Sequence, residues 1–534
     1  MKALLVYPVF PKSYWGQEYT NPITGRRAIV PPLGLITIAA MLPEHWELRL
    51  LDMNVEPLDD SAIAWADVVM LSAMRIQAAS FHDVARRAAA MGKRVVAGGP
   101  YVTSDPQAGH GIDHVVIGEA EDVLPDLARE LERGRGAARV EAPSRPDVKR
   151  TPAARYDLLR VESYNAIGVQ FSRGCPFNCE FCDIIELFGR SPRTKPPDQL
   201  LRELDAVLAT GFRGAVFLVD DNFIGNKVAA KKMLSRLAGW TVDNGHPFDF
   251  FTEASVNLAD DDEMIAKMVA ADFSAVFLGI ETPSKEALLE TQKRQNAYLD
   301  LNEAVDKLAK NGLEVMGGFI VGFDADDETI FDLQFEFIDR SPIAKAMVGI
   351  LTALPMTQLW RRLAREGRLY GGAVGDAAYR PNFATRLPEE TLVAGYGKLL
   401  ARLYQPAAYF RRAYRSLELG REAKKSPFRR PFWYAFGVAW RSLWYQGVRA
   451  SYRAEYWKFL ARVAWRMPDQ FVPGVAAAVA GEHMIRYTFE DILPRLAAPA
   501  PDRAPVAVQP EGLVTLGRRA LADLVDGGRS PATH

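Results

Sequence analysis

The sequence predicts an α/β protein with two successive parallel sheets and a mainly helical C-terminal region. Short apolar segments alternate with helical patterns over residues 1–135 and again over residues 166–352. Residues 386–495 are helical in pattern and rich in aromatic side chains. Alternating strands and helices are typical of parallel sheets covered by helices. We therefore expect a doubly wound N-terminal sheet, a central partial (β/α)6 barrel and a helical C-terminal domain.

The N-terminal series contains five candidate strands: Lys2–Tyr7, Glu47–Met53, Asp67–Ser72, Arg94–Ala97 and His114–Ile117. Doubly wound sheets bind ligands at the carboxyl ends of their strands. Glycines stand at two such ends, as Gly98-Gly99 and as Gly118 before Glu119. Glycine lets the backbone approach a large flat ligand closely, and ordinary tight turns are the alternative. No G-x-G-x-x-G follows the first strand, which disfavours a Rossmann-type dinucleotide site.

The second series contains six candidate strands: Ala166–Ser172, Ala215–Val219, Phe248–Glu253, Ala275–Ile280, Glu314–Val321 and Met347–Thr352. Six βα units predict a partial TIM-like barrel with its chemistry at the strand C-termini. We expect domains at 1–140, 166–385 and 386–496, with a Pro/Arg/Ala-rich linker at 141–165. The Ala/Pro-rich residues 497–534 are predicted to be a disordered tail.

All three cysteines of the 534-residue chain, Cys175, Cys179 and Cys182, lie in one loop after the first strand of this second series. Soft thiolates favour iron–sulfur clusters or zinc. Structural zinc takes four ligands, and the nearest histidines in the sequence, His114 and His246, are remote. A 4Fe–4S cluster on three cysteines would leave one iron open to another ligand. The alternative is a chance clustering of structural cysteines.

Composition narrows the class of protein. The net charge of −1 argues against a general polyanion binder, and the hydrophobic content of 49% is ample for a core. Clustered cysteines without a disulfide framework favour a reducing cytosol. The start of the chain lacks a signal-peptide pattern, and no apolar run of membrane-spanning length is found. We expect a cytoplasmic protein, with peripheral contact at the inner face of the membrane as a further possibility.

The cysteine run, with Phe181 before its last cysteine, resembles the signature of the radical S-adenosylmethionine (radical SAM) superfamily. The preceding α/β region resembles the cobalamin-binding domain of its methylase class, on the tags Pro31–Leu35, Gly98–Pro100 and Gly118–Glu121. The run Val219–Asn226 and the aromatic, basic C-terminal region resemble the hopanoid and bacteriochlorophyll side-chain methylases. One departure is the D-x-H-x-x-G motif, whose histidine ligates cobalt in other cobalamin domains and which this sequence lacks.

The resemblance implies three cofactors and a set of site residues. Cys175, Cys179 and Cys182 would hold a 4Fe–4S cluster whose open iron binds S-adenosylmethionine. Asp220, Asp221 and Asn222 would contact the ammonium of that cofactor, and Glu253 and Ser255 its ribose. Gly279 and Glu281 would line the adenosine. Cobalamin would meet Gly98, Gly99, Gly118 and Glu119. For each acid, an N-cap or a solvated loop charge is the alternative. Arg173 and Arg193–Lys195 would balance the cluster's charge or lie on the surface.

The resemblance further implies methylation of an unactivated carbon of a hydrophobic small molecule, such as a hopanoid-like lipid or a tetrapyrrole. A 5′-deoxyadenosyl radical and methylcobalamin would carry out the reaction, with electrons from an external flavodoxin- or ferredoxin-type donor. A cobalamin-dependent radical SAM cyclase or oxidase on a porphyrin is one alternative, and a non-enzymatic iron–sulfur sensor is another. The three cysteines leave no thiol for sulfur insertion or auxiliary clusters.

The C-terminal region offers the best indication of the substrate. Trp433, Phe436, Trp440, Trp444 and Gly447 recur at spacings of three and four, with arginines between them. This pattern suits a membrane interface, or else an aromatic helix packed on the barrel with solvated arginines, which the sequence slightly favours. Single-stranded nucleic acid is a weaker alternative, and no nucleic-acid partner is expected.

Overall fold

The N-terminal residues form a six-stranded parallel sheet. A computed structural model describes residues 1–370, 379–423, 426–428 and 431–498. The strands of this first sheet are β1 Lys2–Tyr7, β2 Glu47–Asp52, β3 Val68–Ser72, β4 Arg94–Gly98, β5 His114–Ile117 and β6 Arg139–Glu141. Their order is β2-β1-β3-β4-β5-β6, so the chain runs both ways from β1, as in a doubly wound sheet.

Helices cover both faces of the first sheet. They are α1 Asn21–Thr24, α2 Leu33–Ala39, α3 Asp60–Trp65, α4 Ala78–Ala90, α5 Pro100–Ser104 and α6 Leu124–Glu132. Successive residues of β1 enter opposite apolar clusters: Leu4 and Val6 join one, Ala3 and Leu5 the other. This alternation is the two-residue period of a strand. A parallel sheet buried on both faces explains why its strands read as continuous apolar runs.

A second parallel sheet forms the centre of the molecule. Its strands are β7 Ala166–Val169, β10 Gly214–Leu218, β11 Phe248–Ala254, β12 Phe273–Glu281, β13 Glu314–Val321 and β14 Ala346–Ile350, and a two-stranded antiparallel pair, β8 Ser172–Arg173 and β9 Arg193–Thr194, lies after β7. The order of the sheet is β14-β13-β12-β11-β10-β7. It is an open barrel of six strands, and β8 and β9 close the base of the loop that carries the cysteines.

The helices of this second region lie between its strands in sequence. They are α7 Ile184–Leu187, α8 Pro197–Ala209, α9 Lys227–Asp243, α10 Asp262–Ala270, α11 Lys285–Glu290, α12 Arg294–Ala297, α13 Leu301–Lys310, α14 Ile330–Arg340 and α15 Gln358–Arg365. The longer helices bury one apolar stripe each against the sheet, for example Leu200, Leu204 and Val207 of α8. The outer face of the barrel is thereby removed from water.

The C-terminal helices pack on the edge of the barrel. They are α16 Glu389–Leu403, α17 Pro406–Leu419, α18 Phe432–Ser442, α19 Arg453–Arg466, α20 Phe471–Arg486 and α21 Leu493–Leu496, with π-helical turns at Leu443–Arg449 and Tyr487–Ile492. Tyr396 lies in α16, and Tyr404 directly follows that helix. Their hydroxyls donate hydrogen bonds to the carbonyls of Val348 and Ala346 in β14, respectively. The helices therefore protect an edge strand of the open barrel.

The segment between β1 and α2 joins all three regions. The Tyr14 hydroxyl lies 2.7 Å from Thr488 Oγ1, and His483 Nε2 lies 2.8 Å from the carbonyl oxygen of Ser13. The ring of Trp15 packs on Phe277 of β12, with centroids 4.6 Å apart. The segment thus fixes the C-terminal helices and the barrel relative to the first sheet.

The predicted fold class is confirmed in each of its three parts. Two details were wrong. β6 at Arg139–Glu141 was not among the predicted strands, and it extends the sheet beside β5. The strand predicted over Ala166–Ser172 ends at Val169, because the backbone N–H of Phe171 turns to Asp220 instead of a neighbouring strand. The domain boundaries stay predictions, and residues 499–534 of the predicted tail lie outside the described residues.

Candidate functional site

The cysteine loop is held in one shape by backbone hydrogen bonds. The N–H of Cys175 donates to the Gly189 carbonyl at 3.1 Å, and the N–H of Glu180 donates to the Thr291 carbonyl at 3.0 Å. Gly174 has φ +93°, and a Cβ there would lie 2.7 Å from the Gly189 oxygen. Only glycine fits this left-handed position without strain, so the residue before Cys175 is fixed by geometry.

The three cysteines have a chemistry that suits an iron–sulfur cluster. Side-chain amides approach two sulfurs: Asn222 Nδ2 lies 3.8 Å from Cys175 Sγ, and Gln295 Nε2 lies 3.7 Å from Cys179 Sγ. Burial raises the pKa of the Cys175 thiol and that of the Cys182 thiol, since a thiolate loses its hydration there. Bound iron would offset that cost, and N–H donors to sulfur are among the features that tune such clusters.

The described residues contain no group of three His, Cys, Asp or Glu side chains arranged to hold a single metal ion. A four-iron cluster places different demands on its ligands, because each thiolate binds a different iron. The cysteine sulfurs therefore need not converge on one point. The residues present fit the cluster, and the role of each cysteine stays a prediction.

An ion-pair network clamps the cysteine loop from the side of α15. Glu180, between two of the cysteines, pairs with Arg362 at 2.6 Å and accepts the N–H of Leu359 at its carbonyl. Arg362 also pairs with Asp324 at 2.8 Å, and Arg368 pairs with the same carboxylate. Sequence spacing gave no signal for this network, because its members lie in separate elements.

The run Asp220–Asn222 at the end of β10 supports the cysteine loop. The carboxylate of Asp220 accepts hydrogen bonds from the Phe171 N–H at 2.8 Å and the Ser172 hydroxyl at 2.6 Å. Asp221 accepts the Gly174 N–H at 2.8 Å. Burial raises the pKa of Asp220 to about 7 and that of Asp221 to about 6. Both carboxylates organise the chain before Cys175, and their contact with a cofactor ammonium stays a prediction.

Glu253, the residue before the last of β11, has a free carboxylate. Among the described residues, its side chain has no hydrogen-bond or ion-pair partner, and burial raises its pKa to about 7. Ser255 lies nearby, where its hydroxyl donates to Asn257 Oδ1 at 2.6 Å and accepts from Asn222 Nδ2 at 3.2 Å. A partly buried, unpartnered carboxylate costs stability unless a ligand satisfies it, which favours Glu253 as the predicted ribose contact.

A buried ion pair ends β12. Glu281 has φ +66°, an unusual conformation for a residue other than glycine, and pairs with Lys293. A Cβ on Gly279 would lie 2.5 Å from Glu281 Oε1 and 2.7 Å from Lys293 Nζ. The ammonium of Lys293 lies 6.0 Å from the ring of Phe181, within the cysteine run. Lys293 was missed from the sequence, since a single lysine after a short helix carries no motif.

A cleft of about 270 Å³ lies between the first sheet and the barrel. Gly98, Gly99 and Gly118 form part of its wall, with α2 on one side and the barrel residues Arg173 and Leu187 on another. Gly99 has φ +91°, and a Cβ there would lie 2.4 Å from Ser72 Oγ. The glycines thus stand where the sequence predicted them, at strand ends open to a large ligand. Their contact with cobalamin stays a prediction.

Ion pairs close the bottom of this cleft. Glu119 and Glu121 both lie 2.6 Å from Arg173 Nη1, and Glu119 lies 2.6 Å from Arg193 Nη2. Lys195 pairs with Glu203 inside the barrel wall. The proposed surface placement of these cations was wrong, because each side chain is largely buried against a carboxylate. They link the first sheet to the base of the cysteine loop, and Glu119 acts in that link.

The inner face of the barrel is apolar apart from Glu253 and the Glu281–Lys293 pair beside Gly279. We define it by partly exposed residues that lie on the same face of neighbouring strands: Phe217, Phe251, Glu253, Phe277, Gly279, Gly318 and Gly349. The rings of Phe217 and Phe251 stack with centroids 4.7 Å apart, and Trp15 covers Phe277. A Cβ on Gly349 would meet no atom within 4 Å. The space beside Gly349 is therefore open, whereas Phe277 fills the space over Gly318 and the Glu281–Lys293 pair fills that over Gly279.

Three family models match successive parts of the chain. Residues 23–128 match a B12 binding domain, residues 169–334 the Radical SAM superfamily, and residues 357–492 a domain of unknown function, DUF4070. The first match covers β2 to β5 of the first sheet, and the second covers β10 to β13 of the barrel. The third covers α15 to the end of the second π-helical turn.

Two curated relatives and one solved structure resemble the chain over most of its length. An uncharacterized methyltransferase of Synechocystis is 42% identical, over 91% of this chain and 92% of its own. The hopanoid C-2 methylase of Rhodopseudomonas palustris is 34% identical, over 92% and 94%. The radical SAM methyltransferase TsrM of Kitasatospora setae, solved with cobalamin and a [4Fe-4S] cluster, has a TM-score of 0.59 at 15% identity, covering 89% and 99%.

Proposed function

Since the chain belongs to the cobalamin-dependent radical SAM methyltransferases, we propose that it methylates an unactivated carbon of a rigid hydrophobic molecule. Membership of this family confirms three expectations from the sequence: the chain is an enzyme, it uses a 4Fe–4S cluster with S-adenosylmethionine, and it uses cobalamin. The substrate, the electron donor and the roles of single residues are parts of the proposal.

The observation that supports this substrate class is the inner face of the barrel. Its aromatic side chains stand on the same strands whose C-terminal ends carry Glu253 and Gly279. A hydrophobic substrate held there would lie beside the cysteine loop. Aromatic walls suit such a substrate, because it has few polar groups that need hydrogen-bond partners. The similarity to a hopanoid C-2 methylase over nearly its full length favours a polycyclic lipid over a tetrapyrrole as the first substrate to test.

The residues of the chain are proposed to bind the cofactors and to keep water from the site. When bound, the cofactors supply a 5′-deoxyadenosyl radical and a methyl group for transfer. Cys175, Cys179 and Cys182 would hold the cluster. Glu253 would accept hydrogen bonds from ribose hydroxyls, and the Lys293 ammonium would provide a positive charge beside the cysteine loop. With substrate bound, Trp15 and the stacked phenylalanines would help to keep water from the radical, which limits side reactions.

An anaerobic assay with reconstituted protein tests the proposal. We expect 5′-deoxyadenosine and a substrate product that carries one added methyl group, from a hopanoid or a tetrapyrrole in separate reactions. Cys179→Ala should abolish both products, whereas Ser235→Ala, at an exposed position of α9, should leave them unchanged. A product without added methyl mass would instead support the cyclase or oxidase. Failure to bind cobalamin under these conditions would contradict the methyltransferase proposal.

A further inference from the structure

The C-terminal helices present a large apolar surface to solvent. Side chains with exposed fractions between 54% and 79% recur along α18 and the π-helical turn after it. We call this set the aromatic face: Phe432, Trp433, Phe436, Trp440, Trp444 and Val448. The prediction of an aromatic helix packed on the barrel was therefore wrong for these residues. Of the positions named from the sequence, only Gly447 is buried.

The next helix extends the same surface. Trp457 and Trp465 stand two helical turns apart on α19, with exposed fractions of 47% and 85%. The indole N–H of Trp457 donates to the Gly447 carbonyl at 2.9 Å, which joins α19 to the end of the aromatic face. Large exposed apolar patches on a protein surface mark interaction sites.

Cations surround this surface. On and after the π-helical turn, five basic side chains are exposed: Arg449, Arg453, Lys458, Arg462 and Arg466. Over the described residues 431–466 the chain contains six lysines and arginines and one acidic residue, Glu455. That glutamate is already paired with Lys458 at 2.7 Å. The surface is thus apolar and strongly positive, although the whole chain has a net charge of −1.

This combination selects one kind of partner. A second copy of the chain would bring two positive faces together, and like charges across an interface oppose association. Residues 499–534 contain four basic and four acidic residues, so the tail offers no charge complementarity. An anionic bilayer satisfies both features, because tryptophan enters the lipid boundary while arginine and lysine meet the headgroups.

We propose that the aromatic face and α19 form a membrane-binding surface for anionic phospholipid. No described helix is long and apolar enough to cross a bilayer, so the surface would lie in the plane of the interface. The inference goes beyond the proposed function, and lipid binding requires neither cofactor nor substrate.

The helix that carries the aromatic face packs on the segment between β1 and α2. Arg441 Nε in α18 donates to the Ile23 carbonyl at 2.6 Å, and the guanidinium of Arg26 stacks on Tyr434 with a separation of 4.9 Å. Residues 23–26 follow Trp15, which covers Phe277. The side of α18 that carries Tyr434 and Arg441 thus packs on the segment that follows Trp15, and the aromatic face is left for the bilayer.

Vesicle flotation with the full-length protein tests the proposal. We expect the protein to float with vesicles of phosphatidylcholine and phosphatidylglycerol, and to bind vesicles of phosphatidylcholine alone at least tenfold more weakly. The variant Trp433→Ser/Trp440→Ser/Trp444→Ser should lose binding to anionic vesicles by tenfold or more, since each exposed indole contributes buried apolar area. Arg453→Glu/Arg466→Glu should weaken binding to anionic vesicles alone, also by about tenfold.

A matched control distinguishes binding by this surface from non-specific adsorption through any exposed apolar side chain. Val228, Val242 and Tyr298 are as exposed as the tryptophans and lie on the barrel, so Val228→Ser/Val242→Ser/Tyr298→Ser should bind like the wild type. Circular dichroism and the Tm of each variant check its folding. The proposal is overturned if the wild type does not float with anionic vesicles, or if the tryptophan variant floats equally well. A wild-type dimer that the tryptophan variant dissociates would also overturn it, in favour of a second copy.

Discussion

At the scale of single residues, the Lys293–Glu281 pair has a structural role and a proposed role in cofactor binding, and mutations can separate the two. Lys293→Met alone leaves a buried carboxylate without its partner and should cost about 3–5 kcal/mol of stability. The double variant Glu281→Gln/Lys293→Met removes both charges and should recover most of that loss. If the ammonium serves the cofactor, the double variant should still bind S-adenosylmethionine at least tenfold more weakly, as measured by equilibrium dialysis after reconstitution. If a stable double variant bound S-adenosylmethionine as tightly as the wild type, the pair would have a structural role alone.

Asp326 introduces a pH dependence of stability. Its carboxylate accepts the N–H groups of Gly322 and Phe323 at 2.8 and 3.0 Å, yet Oδ1 is buried without a partner among the described residues. Burial raises the pKa from 3.8 to about 7. A raised pKa means that the protonated form stabilises the fold below pH 3.8, and that this contribution is lost as the pH rises through 7.

Asp326→Asn removes the buried charge and should flatten that dependence. Between pH 5 and pH 8, we expect the free energy of unfolding of the wild type to fall by about 2 kcal/mol more than that of the variant. Denaturant unfolding at a series of pH values measures the difference. The surface variant Asp262→Asn, at a largely exposed carboxylate, should follow the wild type. Parallel pH profiles for wild type and Asp326→Asn would contradict the prediction.

At the scale of elements, β14 leaves space that a side chain can fill. Gly349 pairs with Ile320 of β13, and a Cβ there would meet no atom within 4 Å. Phenylalanine is favoured in strands, so Gly349→Phe should fold and occupy the inner face. We expect at least a tenfold loss of methylated product while 5′-deoxyadenosine continues to form. Gly349→Ala should retain most of the product, and equal product from both variants would place the substrate elsewhere.

The cysteine loop shows how elements divide responsibility for one site. The local sequence supplies the thiols and Gly174. Residues from other elements hold the loop in place: Asp220 and Asp221 after β10, and Arg362 of α15, which pairs with Glu180. The sequence predicted these acids as contacts of the cofactor ammonium, and that role stays a prediction. Their hydrogen bonds to the loop backbone were not predictable, because they depend on how closely β7 and β10 approach.

At the scale of the whole molecule, Arg173 couples the first sheet to the barrel. Its guanidinium contacts Glu119 and Glu121 from beyond β5. Arg173→Met would leave two buried carboxylates facing one remaining cation, and breaking such a pair costs about 3–5 kcal/mol. We expect a lower Tm and two separate unfolding transitions by calorimetry. Arg202→Met, at an exposed position of α8, is the control. A single unchanged transition in Arg173→Met would show that other contacts hold the two regions together.

The sequence by itself determined the two parallel sheets, the cysteine motif and, through resemblance, the cofactors and the enzyme class. Each of these is local: a strand is recognised from a few consecutive apolar residues, and the cysteine signature spans eight positions. Three strands, Lys2–Tyr7, His114–Ile117 and Glu314–Val321, have the predicted bounds.

The tertiary structure decided what distant segments do to one another. It joined Lys293 to Glu281, laid Trp15 over Phe277, and buried Arg173 against Glu119. It also left the aromatic face exposed, where the periodicity of the sequence fitted a packed helix equally well. Periodicity shows that a helix has an apolar side, but burial depends on whether another element reaches that side. Only the packing of the whole chain fixes that outcome.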